Sequence, residues 1–335
     1  MSSIFKSQGQ VDTTFTLVDR LLHPYLNQLE TLLMDSVRSD IPLVNDSAQH
    51  LIRSGGKRFR PILMLLFSGM TGGIYDKCLP LACSIELFHT ATLIHDDIID
   101  EADIRRGIES SNIRYGNHIA VLSGDYIFSR ASYLLAHHAG DSFVKQASNA
   151  LTTMVIGEIM EVEGGYNFQA TQEDYLNMIH SKTADLISLS CQFGVMVNTD
   201  NLKLMKAATD FGAELGMAFQ IVDDVLDYVS TSTEFGKPVV QDIREGKMTL
   251  PIIHLRDHLK GTDWDRLKSI LAHQPEDEDI RWLLQKLHET KSIEYAYQKA
   301  DEYSNNAKQK LEVFPDSDFK TSLLSLCDYV VNRKY

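Results

Sequence analysis

The feature that most constrains the fold of this chain is the long interval without proline between Pro80 and Pro238. Proline breaks helix interiors, so its absence leaves room for several long helices. Apolar residues in this interval recur at three- and four-residue spacings, as at Leu81, Ile85 and Phe88, which is the spacing of one helix face. Hairpin turns of the Asn-Gly or Asp-Gly type are absent from the sequence. The sequence therefore predicts an all-α fold.

Length and composition are those of a globular protein. The 335 residues are 44% hydrophobic, which is enough to bury a sizeable core. Glycine and turn residues cluster at several points, but none of these clusters is typical of a linker between domains. We therefore predict a single large helical domain over residues 1–335, in which residues 1–18 could be disordered.

Charge and cysteine usage limit the partners and the compartment. The formal net charge of −14 disfavours duplex nucleic acid, whose affinity for proteins comes mainly from Lys and Arg. The N-terminal segment lacks a signal-peptide pattern, and the longest apolar stretch, 62–67, is too short to span a bilayer. We expect a cytoplasmic protein with no integral membrane association and no nucleic acid partner. Four cysteines without C-x-x-C spacing are expected to be small core residues in a reducing compartment: Cys78, Cys83, Cys191 and Cys327.

Two acid motifs of the form Asp-Asp-x-x-Asp end apolar stretches of the sequence, at residues 96–100 and 223–227. On a helix the first and third Asp of each motif lie one turn apart, so three carboxylates crowd one end of a face. A single motif of this kind is often a solvated helix end, but two such motifs favour a cationic ligand. Carboxylate oxygens suit Mg²⁺, whereas zinc and EF-hand calcium sites need other residue types or spacings. The motifs therefore predict a magnesium site.

Basic residues supply the complementary charge. The segment 55–61 places three cations beside a glycine pair and ahead of a helix-compatible proline, and Arg105-Arg106 follows the first acid motif. Lys182, Lys237 and Lys247 add positive charge from the second half of the chain. Each of these alone could be a solvated surface residue. Together with the acids they describe a site for two ligands that carry diphosphate.

These motifs, in this order, resemble those of the trans-isoprenyl diphosphate synthases, the polyprenyl synthetase family, over nearly the whole chain. The resemblance is greatest to bacterial heptaprenyl and geranylgeranyl diphosphate synthases. It rests on the following segments: Gly55-Gly56-Lys57-Arg58-x-Arg60-Pro61, His89, both acid motifs, Arg105-Arg106-Gly107, Gly124-Asp125, Lys182-Thr183, Phe219-Gln220, Gly236-Lys237-Pro238 and Glu245-Gly246-Lys247. It implies one all-α domain of the isoprenoid synthase type around a deep central cavity.

The resemblance also implies substrates, cofactor and residue roles. The expected reaction adds isopentenyl diphosphate to an allylic diphosphate, with about three Mg²⁺ ions in each active site. The implied metal ligands are the six motif aspartates: Asp96, Asp97, Asp100, Asp223, Asp224 and Asp227. Catalytic roles fall to Asp96, Asp97, Arg105, Lys182, Thr183, Gln220, Asp223 and Lys237. Substrate binding falls to Lys57, Arg60, His89, Arg105, Arg106, Lys182, Thr183, Gln220, Lys237 and Lys247. The C-terminal pair Arg333-Lys334 could close over the second diphosphate.

Product length depends on residues upstream of the first motif. Ala91 and Thr92 are small where farnesyl-producing relatives typically carry an aromatic residue, so the product should exceed about fifteen carbons and fall near C20 to C35. One turn deeper, Phe88 could be the floor that stops growth or an ordinary core residue.

The resemblance leaves the assembly and two rival functions open. Relatives are usually homodimers, and some are heteromers with a small subunit. A class I terpene cyclase shares the first acid motif, and a partner-dependent subunit of a heteromeric synthase shares the fold.

Overall fold

The computed structural model describes residues 13–229, 241–273 and 275–333, and nearly all of their regular structure is helical, which confirms the all-α prediction. The helices up to residue 179 are α1 (Thr13–Ser36), α2 (Pro42–Arg53), α3 (Phe59–Thr71), α4 (Cys78–Ile99), α5 (Ser111–Tyr115), α6 (Asn117–His138), α7 (Asp141–Gly164) and α8 (Gln172–Ile179). They are followed by a π-helical turn (His180–Ala184), α9 (Asp185–Met196) and α10 (Leu202–Val229). The last helices are α11 (Gln241–Arg244), α12 (Leu250–His258), α13 (Thr262–Ala272), α14 (Asp277–Glu289), α15 (Ser292–Lys310), a 3₁₀ turn (Leu311–Val313) and α16 (Asp318–Asn332).

The described strands are the two-residue β1 (Ile104–Arg105) and β2 (Ile108–Glu109), which pair antiparallel just after α4. Residues 13–18, part of the segment that could have been disordered, are helical, while residues 1–12 lie outside the described residues.

Backbone contacts divide the described chain into two compact units, each built from three segments. The first unit contains the residues up to Ser148, Leu189–Ala208 and Val313–Leu323. The second contains Asn149–Ser188, Thr209–Glu312 and the residues from Leu324 onward. The expectation of one domain over residues 1–335 stays a prediction.

Helix α4 is the central helix of the first unit. It packs along its length against α6 and also contacts α3 and α1. Among the described residues it is the one helix with the length and mean hydropathy of a membrane span, but 67% of its most apolar window is buried inside the protein, as in a core helix. The helix ends at the first acid motif, where Glu101 adopts a left-handed backbone with φ of 51°. Three carboxylates thus lie at the negative end of the helix dipole, which increases their need for a cation.

In the second unit, α10 carries the second acid motif near its C-terminal end. Its apolar residues, among them Ile221 and Val225, belong to a buried cluster shared with α8, α12 and α14. Gly212 and Gly216 let α10 approach α9 and the π-helical turn before it, because a Cβ would lie 2.5 Å from the Cα of Ser188 and of Ala184 respectively. This close approach brings Gln220 to Thr183.

Candidate active site

The first acid motif has one buried and two partly accessible carboxylates. Asp97 is fully buried, and its Oδ1 accepts from both Nε and Nη2 of Arg105 at 2.6 Å. Asp96 and Asp100 are half-buried on α4. The hairpin β1–β2 positions Arg105, since its turn uses left-handed backbone at Arg106 and Gly107. Arg105 therefore compensates the charge of the middle aspartate.

Three predicted ligands of isopentenyl diphosphate come together in the first unit. The imidazole of His89 has a pKa well below its ordinary value because it is buried and faces Arg60, Arg106 and Arg105. Burial, and Arg106 beside it, lower the pKa of Arg60 to about 10 despite the nearby Glu86. Its buried Nε has no hydrogen-bond partner among the described residues. Mutually repelling cations with an unsatisfied donor are the signature of an anion site.

The glycine pair shapes this cationic cluster, which we define as Arg60, His89 and Arg106. At Gly56, a Cβ would lie 3.1 Å from the guanidinium carbon of Arg106, and the φ of 155° favours glycine. Nη1 of Arg106 donates to the carbonyl of Gly55. Lys57 between these elements is exposed. Any side chain at position 56 would therefore push Arg106 away.

Arg58, the middle cation of the same segment, has a different task. It is almost fully buried, and its guanidinium donates to Glu30 at 2.6 and 2.9 Å and to Glu86 at 3.1 Å. Burial alone would lower its pKa, but the two carboxylates outweigh that effect and raise it. Arg58 thus fixes the loop between α2 and α3, and the sequence pattern did not separate it from its neighbours that are predicted to bind ligand.

The second acid motif also buries its middle aspartate. Asp224 accepts hydrogen bonds from Tyr175 Oη at 2.6 Å and from Gln220 Nε2 at 2.7 Å. Burial raises its pKa to about 7 in spite of both hydrogen bonds. Asp223 is exposed, and Asp227 accepts from the backbone N–H groups of residues 241 and 242 at 3.0 Å.

The lysines predicted to bind diphosphate are paired with acids. Lys182, in the π-helical turn, contacts Glu161 and lies 2.8 Å from Glu158. Lys247 lies 3.2 Å from Glu161 and 2.8 Å from Glu245. Burial would lower the pKa of Lys182, but Glu161 and Glu158 raise it. Lys237 lies outside the described residues.

Two residues of this network escaped the sequence analysis: Tyr175 and Glu161. Gly157, one turn before Glu161 on α7, is the sequence signal that could have found it. A glycine inside a helix indicates a close approach of another segment, and a Cβ at Gly157 would collide with the backbone of Lys182. Tyr175 gave no signal, since an isolated tyrosine on an amphipathic helix is most often core.

Arg333 lies at the second acid motif. Its Nη2 is 3.2 Å from Asp223 Oδ1 and donates to the carbonyl of Phe219 at 2.6 Å, and its guanidinium stacks over the Phe219 ring at 3.9 Å. The expectation that it closes over the second diphosphate therefore competes with an observed contact to Asp223. Lys334 lies outside the described residues.

The candidate product-length residues lie on one side of α4. Ala91 is fully buried, and the half-buried Thr92 donates its hydroxyl to the carbonyl of His89 at 2.9 Å. Phe88 is buried and meets the ring of Phe128 edge-on, with 4.9 Å between centroids.

The carboxylates fit a hard divalent ion. Among the described residues, no three His, Cys, Asp or Glu side chains form a ready-made metal cluster. This suits Mg²⁺, which usually takes one or two carboxylates and completes its shell with water and substrate phosphates. The outer aspartates Asp96, Asp100, Asp223 and Asp227 are half-buried or exposed, whereas the middle aspartates Asp97 and Asp224 are buried.

Comparisons with known proteins show the family of this chain. The polyprenyl synthetase family model matches residues 41–287. The chain is 33% identical over 326 residues to heptaprenyl diphosphate synthase component 2 of Bacillus subtilis, covering 97% of this chain and 92% of that protein. It is 31% identical over 318 residues to the geranylgeranyl diphosphate synthase of Saccharolobus solfataricus, covering 92% and 96%. The crystal structure of a polyprenyl synthase from Caulobacter crescentus, complexed with calcium and isoprenyl diphosphate, superposes with a TM-score of 0.90 at 29% identity, covering 98% and 100%. This chain belongs to the polyprenyl synthetase family.

Proposed function

We propose that this protein is a magnesium-dependent trans-polyprenyl diphosphate synthase. It condenses isopentenyl diphosphate with an allylic diphosphate, by ionisation, condensation and elimination, to all-trans products of about C20 to C35. Its family consists of prenyltransferases, and that part of the assignment follows from membership. The observation that carries the proposal is the cationic cluster in a chain of net charge −14, since the half-buried guanidiniums of Arg60 and Arg106 repel each other and favour an anionic ligand.

The allylic diphosphate is assigned to the acid motifs. Bound Mg²⁺ would neutralise the diphosphate and stabilise it as a leaving group. The outer aspartates Asp96, Asp100, Asp223 and Asp227 would hold the metal, because their side chains are less buried than those of the middle aspartates. We expect about three Mg²⁺ ions in each active site, the number that the family resemblance implies.

Isopentenyl diphosphate is assigned to the cationic cluster and Lys57. The guanidinium groups of Arg60 and Arg106 offer planar donors that match diphosphate oxygens. His89 stays neutral at pH 7 because its pKa is lowered, so it contributes a hydrogen bond without charge. The exposed Lys57 adds long-range attraction.

The reacting carbon is assigned to Thr183 and Gln220. Their side chains are hydrogen-bonded to each other at 2.8 Å and are neutral. Neutral dipoles stabilise a developing allylic cation without capturing it, whereas water would quench it. The proton lost after condensation goes to the released diphosphate.

Product length is assigned to Phe88 at the floor below Ala91 and Thr92. Replacing Phe88 with Ala should lengthen the product, because it removes the ring that meets Phe128. Product chromatography measures this. Phe88→Leu guards against a folding defect, since it leaves a smaller cavity. An unchanged length in folded variants would reject the floor.

A homodimer is the proposed assembly. Supporting it, α6 exposes the apolar side chains Val121, Leu122, Phe128 and Tyr133, and such faces are commonly covered by partners. The relative from B. subtilis is named as a component, so a heteromer with a small subunit is the alternative.

We place the protein in the cytoplasm, because its four cysteines are buried and unpaired with one another.

The deciding experiment incubates purified protein with Mg²⁺, farnesyl diphosphate and labelled isopentenyl diphosphate, then separates the products by chain length. Longer all-trans diphosphates are expected. Hydrocarbon formed from the allylic substrate alone would favour a terpene cyclase. A folded protein without turnover on several allylic primers would favour a subunit that needs a partner.

A further inference from the structure

We propose that Tyr175 is a positioning residue, which fixes the side-chain amide of Gln220 through the carboxylate of Asp224. The inference rests on the proposed function, in which Gln220 lies at the reacting carbon. It also gives Asp224 a task other than the metal binding that its motif implies.

A directional chain of three hydrogen bonds connects these residues. Thr183 Oγ1 donates to Gln220 Oε1 at 2.8 Å, and Gln220 Nε2 donates to Asp224 Oδ1 at 2.7 Å. Tyr175 Oη donates to the other carboxylate oxygen, Oδ2, at 2.6 Å. Because Asp224 Oδ1 accepts from the amino end of the Gln220 amide, the carbonyl end is turned toward Thr183 and accepts its hydroxyl.

Burial explains why the tyrosine is needed. Tyr175 and Asp224 are both buried, and Ile179, Ile221 and Val225 belong to the same apolar cluster. No ion pair with Asp224 is present among the described residues, unlike the arrangement at Asp97. Two donors on different oxygens prevent the carboxylate from rotating, and removal of one would leave a buried acceptor without its donor.

The predicted consequence lies in the chemical step. Dipoles that stabilise a cation must be oriented before the charge forms, whereas diphosphate affinity depends on other residues. Tyr175→Phe should therefore lower kcat about tenfold, the equivalent of one hydrogen bond. The KM values and the half-saturating Mg²⁺ concentration should stay within about twofold.

Tyr295→Phe is the matched control. Tyr295 lies in the same unit and donates its hydroxyl to Gln172 Oε1 at 2.7 Å, a partner on α8 outside the chain of hydrogen bonds to Asp224. It should leave kcat unchanged. An unchanged kcat in Tyr175→Phe, or an equal loss in both variants, would overturn the inference.

A second variant tests the route through the carboxylate. Asp224→Asn should lower kcat at least as much as Tyr175→Phe, and the double variant should be no slower than Asp224→Asn alone. A further loss in the double variant would show that Tyr175 acts by another route. A Mg²⁺ requirement raised about tenfold in Asp224→Asn, with kcat restored by excess Mg²⁺, would identify Asp224 as a metal ligand instead.

A readout without turnover separates this inference from the proposed function. In protein labelled with ¹⁵N-glutamine, the side-chain amide protons of Gln220 should exchange faster with solvent in Tyr175→Phe than in wild type or Tyr295→Phe. Unchanged exchange would contradict the positioning role. A wild type that forms no prenyl product would refute the proposed function, whatever the exchange rates.

Discussion

The two acid motifs share a sequence pattern, yet the protein holds their buried middle aspartates by different means. Asp97 is compensated by the charge of Arg105 at 2.6 Å. Asp224 is held by two neutral donors, Tyr175 and Gln220, and its pKa is raised to about 7 by burial. A formal charge stabilises a buried carboxylate more than neutral hydrogen bonds do. The shared pattern therefore does not determine how the middle acid of each motif is held, which depends on the residues that surround it.

The largest expected effect is the loss of activity when an outer aspartate of either motif is replaced. Asp96→Asn and Asp223→Asn should each lower kcat/KM on the order of a thousandfold and raise the Mg²⁺ requirement, because each removes a proposed ligand of the metal. Steady-state assays at graded Mg²⁺ concentrations measure both. Wild-type activity in either variant would remove that motif from the metal site.

The next effect concerns stability at the first motif. Arg105→Ala should lower the free energy of unfolding by about 3 to 5 kcal/mol, because it leaves the buried Asp97 without its cation. Asp97→Ala should be milder for folding, since Arg105 can turn toward solvent, but should lose activity by orders of magnitude. Chemical denaturation measures the free energy of unfolding of both variants. The control Arg20→Ala breaks an exposed ion pair with Asp318 and should change stability far less. Equal stability losses in Arg105→Ala and Arg20→Ala would contradict the charge compensation.

A smaller effect is expected at the lysine network of the second unit. Glu161→Gln should tighten the binding of inorganic pyrophosphate severalfold, because it removes a negative charge that Lys182 and Lys247 share. Isothermal calorimetry measures the dissociation constant. Glu163→Gln, which removes an exposed charge on the same helix, is the control. Weaker binding in Glu161→Gln would mean that the acid holds the lysines in place.

The smallest effect is a pH dependence at the cationic cluster. In the folded protein burial and the guanidiniums of Arg60, Arg106 and Arg105 keep His89 neutral, while in the unfolded chain it takes up a proton below about pH 6.5. Below that pH the unfolded state thus binds more protons than the folded state. The contribution of His89 to the free energy of unfolding is therefore complete above that pH and is lost as the pH falls. Between pH 7 and pH 5, wild type should lose more unfolding free energy than His89→Gln. Equal losses would place His89 in an ordinary solvated environment.

The sequence predicted the fold class and the family, but it did not predict which side chains contact one another in the candidate site. The all-α fold followed from helical spacing without proline, and the acid motifs and the Gly55-Gly56 segment have recurrent, position-specific patterns. Those patterns could not separate Arg58 from Arg60, because burial against Glu30 and Glu86 depends on residues distant in sequence. Tyr175 was missed for the same reason, since its partner Asp224 is 49 residues away.

Whether both acid motifs hold metal is tested most directly by the binding of Mn²⁺, followed by electron paramagnetic resonance, with an allylic diphosphate analogue that cannot ionise. We expect about three ions per chain in wild type and fewer in both Asp96→Asn and Asp223→Asn. Full stoichiometry in Asp223→Asn would contradict this expectation, because the second motif would then hold no metal.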